Sequence, residues 1–153
     1  MRLVALAVAL LAALPARALE PRPGWVVAAS PKTYAALLED LRAAVRAENM
    51  GLVTEAGPTE AAAARGVTIP GNRVVGVFRN DYAVRALAAS EAAMIEAPIR
   101  FYVVERADGG ATLAYKTPSL VFAPYADEGG AALAAVAAEL DAIFAAIAAR
   151  ALE

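Results

Sequence analysis

Apolar residues along this chain follow two different spacings, and the two spacings predict different elements. Short apolar runs bounded by glycine, proline or polar residues predict strands. The strands are expected at residues 25–29, 52–55, 73–78, 99–106 and 111–116. Between them, apolar side chains recur every three or four positions, which predicts helices that each bury one face.

Four helices are expected from this helical spacing. Ser30 and Pro31 suit the N-cap and the first position of the first helix, and Asn80-Asp81 cap the third. The second is a short helix at residues 60–65, and the last runs from about residue 130 to residue 152. Their predicted buried stripes are Tyr34, Leu37, Leu38, Leu41 and Val45 in the first, Tyr82, Ala86 and Leu87 in the third, and Leu133, Val136, Leu140, Ile143, Phe144 and Ile147 in the last.

One tight hairpin fixes the direction of two strands. Asp108-Gly109-Gly110 lies between two β-rich runs, and such a glycine turn joins antiparallel strands. Residues 119–123, between two prolines, are expected to form a loop or a short edge strand. The order β-α-β-α-β-α-β-β-α predicts an α+β fold, a two-layer sandwich in which helices cover one face of a mixed or mostly antiparallel sheet. We expect a single domain over residues 19–153.

Residues 1–18 have the pattern of a secretory signal peptide. Arg2 gives a positive start, residues 3–14 are an unbroken apolar run, and Ala16-Arg17-Ala18 supplies small residues at the positions that signal peptidase requires. The apolar run is short for a permanent membrane span. We expect cleavage after Ala18, a periplasmic or secreted mature protein, and no stable membrane span.

Composition narrows the chemistry further. The sequence has no cysteine and no histidine, which excludes disulfides, thiolate nucleophiles, a Ser-His-Asp triad and imidazole metal sites. No cofactor and no metal site are expected. Loss of residues 1–18 removes Arg2 and Arg17 and leaves 12 basic and 16 acidic residues, a net charge of −4. A mildly acidic domain without a basic tract is not expected to bind nucleic acid.

A resemblance to a known family rests on the hairpin region. Pro98-Ile99-Arg100, Val103-Val104-Glu105, a glycine turn and Tyr115-Lys116-Thr117-Pro118 resemble the family catalogued as domain of unknown function 302. Val77-Phe78-Arg79-Asn80-Asp81 is similar to the family's strand that ends in a small residue, Asn and Pro. The resemblance implies a small α/β domain of the TATA-binding-protein-like fold type, often a homodimer, with no established general activity.

Two departures from the family pattern bear on activity. The family often has a histidine in the turn after the second strand, where this chain has Ala56-Gly57-Pro58. Its glycine and proline around the Asn are Arg79 and Asp81 here. An activity that depends on that histidine is therefore not expected in this chain.

The candidate binding site lies on the predicted hairpin. A hairpin loop with an even number of residues would place Arg100 and Tyr102 on one face with Tyr115, and Glu105 on the other face with Lys116. The first face could bind a carboxylate or phosphate through guanidinium and phenol groups. The alternative is that the tyrosines pack under a helix while the arginine lays its apolar stem along the sheet.

Three further features have both a functional and a structural interpretation. Asn80, where a strand passes into a helix, either faces an anionic ligand or is an ordinary N-cap. Glu105 and Lys116 could pair across the hairpin, and the structural interpretation of such a pair is a surface salt bridge of small worth. Asp127 and Glu128 either bind a cation or begin the last helix, where negative charge is favourable.

The sequence leaves three functions open. We expect an exported binding module for a small anionic or amphiphilic ligand or for an envelope partner protein. The alternatives are a histidine-independent enzyme that uses Glu105, Tyr115 or Arg100, and a dimeric accessory subunit with a purely structural role. A pocket lined by Arg100 and Tyr115 would favour ligand binding, whereas a flat, exposed apolar patch would favour docking.

Overall fold

Strands and helices alternate along most of the computed structural model, which describes residues 19–153; the predicted signal peptide lies outside the described residues. The strands are β1 (Trp25–Ser30), β2 (Gly51–Ala56), β3 (Asn72–Phe78), β4 (Ile99–Glu105) and β5 (Ala111–Lys116). The helices are α1 (Tyr34–Ala47), α2 (Thr59–Ala63), α3 (Asn80–Ala89), α4 (Pro118–Phe122) and α5 (Ala126–Leu152). Two 3-10 turns, at Ala92–Glu96 and Ala123–Tyr125, precede β4 and α5.

The strands form one antiparallel sheet in the order β1–β5–β4–β3–β2. Side chains alternate between its two faces, as β4 shows: Phe101 and Val103 are buried, whereas Arg100 is exposed and Tyr102 is half-buried. One face packs against helices and the other, which we call the open face, does not. The open face carries Trp25 and Val27 of β1, Val74 of β3, Arg100 and Tyr102 of β4, and Ala114 and Lys116 of β5.

The core lies between the sheet and helices α1 and α5, while α3 and α4 pack against α5. Three aromatic rings meet at its centre. The ring centroids of Phe101 and Phe144 are 4.6 Å apart and nearly parallel, and Tyr115 lies 5.0 Å from Phe101. Such pairs contribute about 0.5–1.5 kcal/mol each beyond the area they bury. This cluster ties β4 and β5 to the middle of α5.

These observations confirm the predicted two-layer α+β class and show that the sheet is entirely antiparallel. All five predicted strands are present. The predicted stripes of α1 and α5 are buried, with Tyr34 and Ile143 only partly so.

The predicted start of α1 is wrong. Ser30 is the last residue of β1 and pairs with Ala111, so its backbone is extended and part of the sheet. The helix begins only after Thr33, whose hydroxyl accepts a hydrogen bond from the N–H of Ala36. The next hydroxyl along the chain therefore takes the capping role.

Residues 119–123 form most of a short helix, not a loop or an edge strand. The Thr117 hydroxyl accepts the N–H of Leu120, and Pro118 occupies the first turn of α4. A capping hydroxyl followed by proline is a regular helix start, and both Pro118 and Pro124 belong to helical segments.

Leu87, predicted in the buried stripe of α3, is instead 51% exposed. The buried residues of α3 are Tyr82 and Ala86, one turn apart. The contact of α3 with its neighbours is therefore too narrow to include Leu87.

Helix α5 is divided at Gly130, whose φ of 50° and ψ of −143° are not helical. The long apolar part therefore begins at about Gly130, as predicted, and a short helical segment from Ala126 precedes it. Asp127 and Glu128 lie in its first turn, as the structural interpretation expected. The segment Pro118–Leu152 is long and apolar enough to cross a membrane by length and composition. Its stripe nevertheless packs on the sheet, since Phe144 stacks on Phe101.

An ion pair between α3 and α5 gives a pH-dependent test of their packing. Arg85 donates two hydrogen bonds to Glu139, at 2.8 and 2.7 Å. These bonds lower the pKa of Glu139 to about 2 from an ordinary 4.5. Because only the folded state holds the carboxylate this way, its contribution to stability is present above the ordinary pKa and is lost as the pH falls through about 2.

We expect Arg85→Ala to raise the pKa of Glu139 back toward 4.5, as followed by carboxyl carbon NMR titration. Arg150→Ala breaks a separate pair with Glu48 and should leave the titration of Glu139 unchanged. A wild-type Glu139 that titrates near its ordinary value would contradict this packing of α3 on α5.

Candidate functional site

The hairpin loop spans residues 106–110, an odd number of residues, and this sets the register of β4 and β5. Phe101 pairs with Tyr115, so both side chains point to the helices, and Tyr115 is only 5% exposed. Arg100 and Tyr102 point to the open face. The prediction that Arg100, Tyr102 and Tyr115 share one face, which assumed an even loop, is wrong.

Two cationic side chains lie side by side on the open face. Arg100 and Lys116 adjoin the pair Phe101–Tyr115 in β4 and β5, so they face each other across neighbouring strands. On the other side of β5, Lys116 pairs with Trp25. A row of Trp25, Lys116 and Arg100 thus crosses three strands at one end of the sheet.

This row lies in an open groove of about 730 Å³, which we call the cationic groove. Its lining includes Arg22, Trp25, Val74, Glu96, Arg100, Tyr102, Ala114, Tyr115, Lys116, Leu120, Val121 and Pro124. Small-molecule sites typically occupy about 300–1,000 Å³. A cavity between the sheet and α3 holds about 30 Å³ and a cleft beside the bend of α5 about 150 Å³, so the cationic groove is the better candidate.

Charge separates the cationic groove from the rest of the surface. Residues 19–153 contain twelve arginines and lysines, and eight of them form ion pairs with carboxylates. The four without such a pair in this part of the chain are Arg22, Arg65, Arg100 and Lys116. All but Arg65 line the groove.

A tight turn before β1 holds Arg22 over the groove. The N–H of Trp25 donates to the carbonyl oxygen of Arg22 at 2.9 Å, and Gly24 has a φ of 73°. Pro23 and Gly24 therefore occupy the central positions that a type II turn reserves for them. The Arg22 guanidinium carbon lies 5.3 Å from the centre of the Trp25 ring, and Lys116 Nζ lies 5.6 Å from it.

The polar neutral groups of the groove are hydrogen-bond donors. Burial raises the pKa of Tyr102, so its hydroxyl stays protonated at neutral pH, whereas the Tyr115 ring points to the helices. Glu96 is the acid among the lining residues, and its carboxylate already accepts a hydrogen bond from the hydroxyl of Tyr125 at 2.8 Å. The cationic groove therefore offers donors and positive charge to an anion.

Two predicted site residues lie outside the groove. Asn80 is the exposed first residue of α3; Arg79 takes the cap position, where no side-chain capping bond forms, so the expected cap is wrong. Glu105 accepts the N–H of Gly71 at 2.7 Å. It sits at the turn end of the hairpin and Lys116 at the opposite end, so the expected Glu105–Lys116 pair is also wrong.

The family model described as domain of unknown function DUF302 matches residues 26–147. The chain belongs to the DUF302 family. A crystal structure of an uncharacterized conserved DUF302 protein from Bacillus stearothermophilus has the same fold, with a TM-score of 0.73 and 18% sequence identity, over 84% of this chain and 98% of that chain. No curated protein matches this chain.

The two segments where we expected this chain to differ from the family pattern, the turn after β2 and the start of α3, each have a local structural role. A Cβ at Gly57, in the turn after β2, would lie 2.3 Å from the carbonyl oxygen of Asn72. The turn therefore packs too closely on the backbone of Asn72 to accommodate a side chain at residue 57. Arg79 and Asp81 form an ion pair at 2.8 Å at the start of α3.

Gly24 tests whether the turn before β1 is fitted to its surroundings. A Cβ there would lie 2.7 Å from Leu120 Cδ2, whereas Gly66 has a similar φ of 75° and nothing within 4 Å of the added atom. Alanine at either position incurs the left-handed penalty of about 1–2 kcal/mol. We expect Gly24→Ala to lower the free energy of unfolding by more than Gly66→Ala, in urea unfolding experiments.

The double variant Gly24→Ala/Leu120→Ala addresses the contact directly. Its loss of unfolding free energy should be smaller than the sum of the losses of the two single variants, because the Leu120 side chain that clashes with the added Cβ has been removed. Equal losses for Gly24→Ala and Gly66→Ala would contradict the close packing of this DUF302 turn against α4.

Proposed function

We propose that the mature protein is an exported binding module that holds a small anionic, partly apolar ligand in the cationic groove. The distribution of ion pairs carries this proposal. Three of the four cations that lack a carboxylate partner in residues 19–153 gather in one groove of ligand size. Apolar side chains from Val74, Leu120 and Val121 share its lining, which suits a ligand with an apolar body.

Repulsion between Arg100 and Lys116 also supports anion binding. Arg100 and Lys116 face each other across β4 and β5, and like charges directly opposite on neighbouring strands are destabilising, by up to about 1 kcal/mol. A bound carboxylate or phosphate would reverse this effect, because hydrogen bonds between charged partners are roughly twice as strong as neutral ones. Arg100 and Lys116 thus repel each other in the free protein, and a bound anion would relieve this repulsion.

Catalysis by a histidine-independent enzyme receives less support from the geometry. Arg100 and Tyr115 both line the groove. Glu105 follows Arg100 by five residues in β4, which corresponds to roughly 16 Å at the usual rise of a strand. Its carboxylate is held by the N–H of Gly71. The three groups expected to act together therefore do not converge.

A second candidate, protein docking by an accessory subunit, is favoured by a different surface. Val84 and Leu87 lie one turn apart on the outer side of α3 and are 58% and 51% exposed, and Ile95 in the following 3-10 turn is 80% exposed. Exposed aliphatic side chains of this kind suit contact with another protein. None of the three lines the cationic groove, so binding and docking can be tested separately.

The ligand-binding proposal makes an unusual prediction for Arg100→Gln. The variant should be more stable than the wild type in urea unfolding, by up to about 1 kcal/mol, because the like-charge contact is gone. It should also bind octyl phosphate, an anionic amphiphile, about tenfold more weakly in isothermal titration calorimetry, since a charge-assisted hydrogen bond is lost.

Arg65→Gln is the matched control. It removes the remaining arginine that has no carboxylate partner in residues 19–153 but lies outside the groove, and should change neither quantity. An Arg100→Gln variant that is less stable than the wild type and still binds octyl phosphate normally would contradict the proposal.

Native mass spectrometry of the protein purified from a bacterial periplasm tests export and binding together. We expect a chain that begins at Leu19 and carries additional mass that is absent from the Arg100→Gln variant. A chain that keeps residues 1–18 and stays in the cytoplasm would contradict export. The same spectrum measures whether the protein forms the homodimer that the family resemblance implies.

A further inference from the structure

Arg22 lies apart from Arg100 in the cationic groove. Its guanidinium carbon lies 5.3 Å from the centre of the Trp25 ring, which belongs to the edge strand β1. Arg100 belongs to β4, on the far side of β5. Neighbouring strands are about 4.8 Å apart, so β1 and β4 are separated by about 9.6 Å. The groove therefore has two cationic positions, one formed by Arg22 and the other by Arg100 with Lys116.

The turn before β1 holds Arg22 in its position. The N–H of Trp25 donates to the carbonyl oxygen of Arg22 at 2.9 Å and closes the turn. A Cβ at Gly24 would lie 2.7 Å from Leu120 Cδ2, so the turn packs directly on α4. The contact of the guanidinium with the Trp25 ring is favourable and would be lost if Arg22 moved toward Arg100. Arg22 is therefore placed to contact an anionic group of its own.

The acidic residues of this chain do not neutralise Arg22. Within residues 19–153 no carboxylate forms an ion pair with it, and the sequence of residues 1–18 contains no Asp or Glu. Glu96 lines the groove but already accepts a hydrogen bond from a tyrosine hydroxyl. A ligand with one anionic group, bound at the other position, would leave Arg22 without a counter-charge.

The wall that α4 contributes to the groove is apolar. Leu120 and Val121 of α4 and Pro124 of the following 3-10 turn belong to the lining. Leu120 also contacts the turn that carries Arg22. These side chains form no hydrogen bonds, and a polar group held against them without a partner would be unfavourable. The wall therefore suits a hydrocarbon spacer.

We propose that the cationic groove binds a ligand with two anionic groups joined by an apolar spacer, one group on Arg100 and Lys116 and the other on Arg22. This inference rests on the proposed function and specifies its ligand class. Each anionic group, a carboxylate or a phosphate, accepts charge-assisted hydrogen bonds from a guanidinium. Because both groups belong to one molecule, the second contact forms within the complex and raises the affinity further.

Two probes that differ only at the far end of the chain test the second anionic group. We expect octane-α,ω-diyl bisphosphate to bind the mature protein at least about fivefold more tightly than octyl phosphate in isothermal titration calorimetry. Arg22→Gln should remove most of this advantage and leave the affinity for octyl phosphate unchanged. Arg100→Gln should weaken both probes. Arg65→Gln is the matched control and should bind both as the wild type does.

Methylenebisphosphonate tests the spacer, since it carries two anionic groups on a single carbon. It is too short to join positions on β1 and β4, so Arg22→Gln should leave its affinity unchanged. Equal effects of Arg22→Gln on methylenebisphosphonate and on octane-α,ω-diyl bisphosphate would contradict the separation of the two positions.

Trp25 is the only tryptophan of the chain, so its fluorescence reports on the position of Arg22. In the wild type, octane-α,ω-diyl bisphosphate should change the emission of Trp25 more than octyl phosphate does. In Arg22→Gln the two probes should produce the same change. Urea unfolding followed by the same fluorescence verifies that each variant is folded.

The outcomes separate this inference from the function on which it rests. If the bisphosphate and octyl phosphate bind equally and Arg100→Gln weakens both, the second anionic position is wrong and the anion-binding groove stands. If Arg22→Gln weakens octyl phosphate as much as the bisphosphate, Arg22 acts together with Arg100 and the two-position site is wrong. If neither probe binds, both proposals fail.

Discussion

The pairing of Phe101 with Tyr115 across β4 and β5 decides which side chains enter the core and which line the groove. It brings both rings against Phe144 of α5 and leaves the next pair along, Arg100 and Lys116, on the open face. A slip by one residue would exchange the two sets completely, because successive strand residues point to opposite faces. The packing of Phe101 and Tyr115 in the core therefore determines that Arg100 and Lys116 lie on the open face.

The charges in the groove are arranged differently from those in the rest of residues 19–153. Elsewhere in residues 19–153 most cations are paired, and pairs such as Arg85–Glu139 join separate helices. Arg100 and Lys116 instead face a like charge, which costs up to about 1 kcal/mol, and the contacts of Arg22 and Lys116 with the Trp25 ring are worth about 0.5–1 kcal/mol each for exposed pairs. A chain without cysteine has no disulfide to compensate. The stability of the domain therefore rests on its packed core, with the cluster around Phe144 at its centre.

Periodicity was enough to predict the strands, the buried stripes and the two-layer class, because each depends on local spacing. The site was predicted only in part. Arg100 and Tyr102 were found, but the face of Tyr115 depended on whether the loop at residues 106–110 had an odd or even length. The positions of Trp25 and Lys116 depended on the pairing of β1 with β5, strands far apart in the sequence. The turn Arg22-Pro23-Gly24-Trp25 was a local signal for a type II turn, and it could have drawn attention to Arg22.

Family membership constrains the parts of this groove unequally. The match to the DUF302 model begins at residue 26, so Arg100, Tyr102 and Lys116 lie within it, while Arg22 and Trp25 lie before it. Similarity at 18% identity establishes a shared fold, and function resides in the site that a fold carries. Arg100 and Lys116 thus lie on strands within the matched region, whereas Arg22 and Trp25 come from the segment just before it. The part that Arg22 and Trp25 play in the groove is therefore a property to be measured on this chain itself.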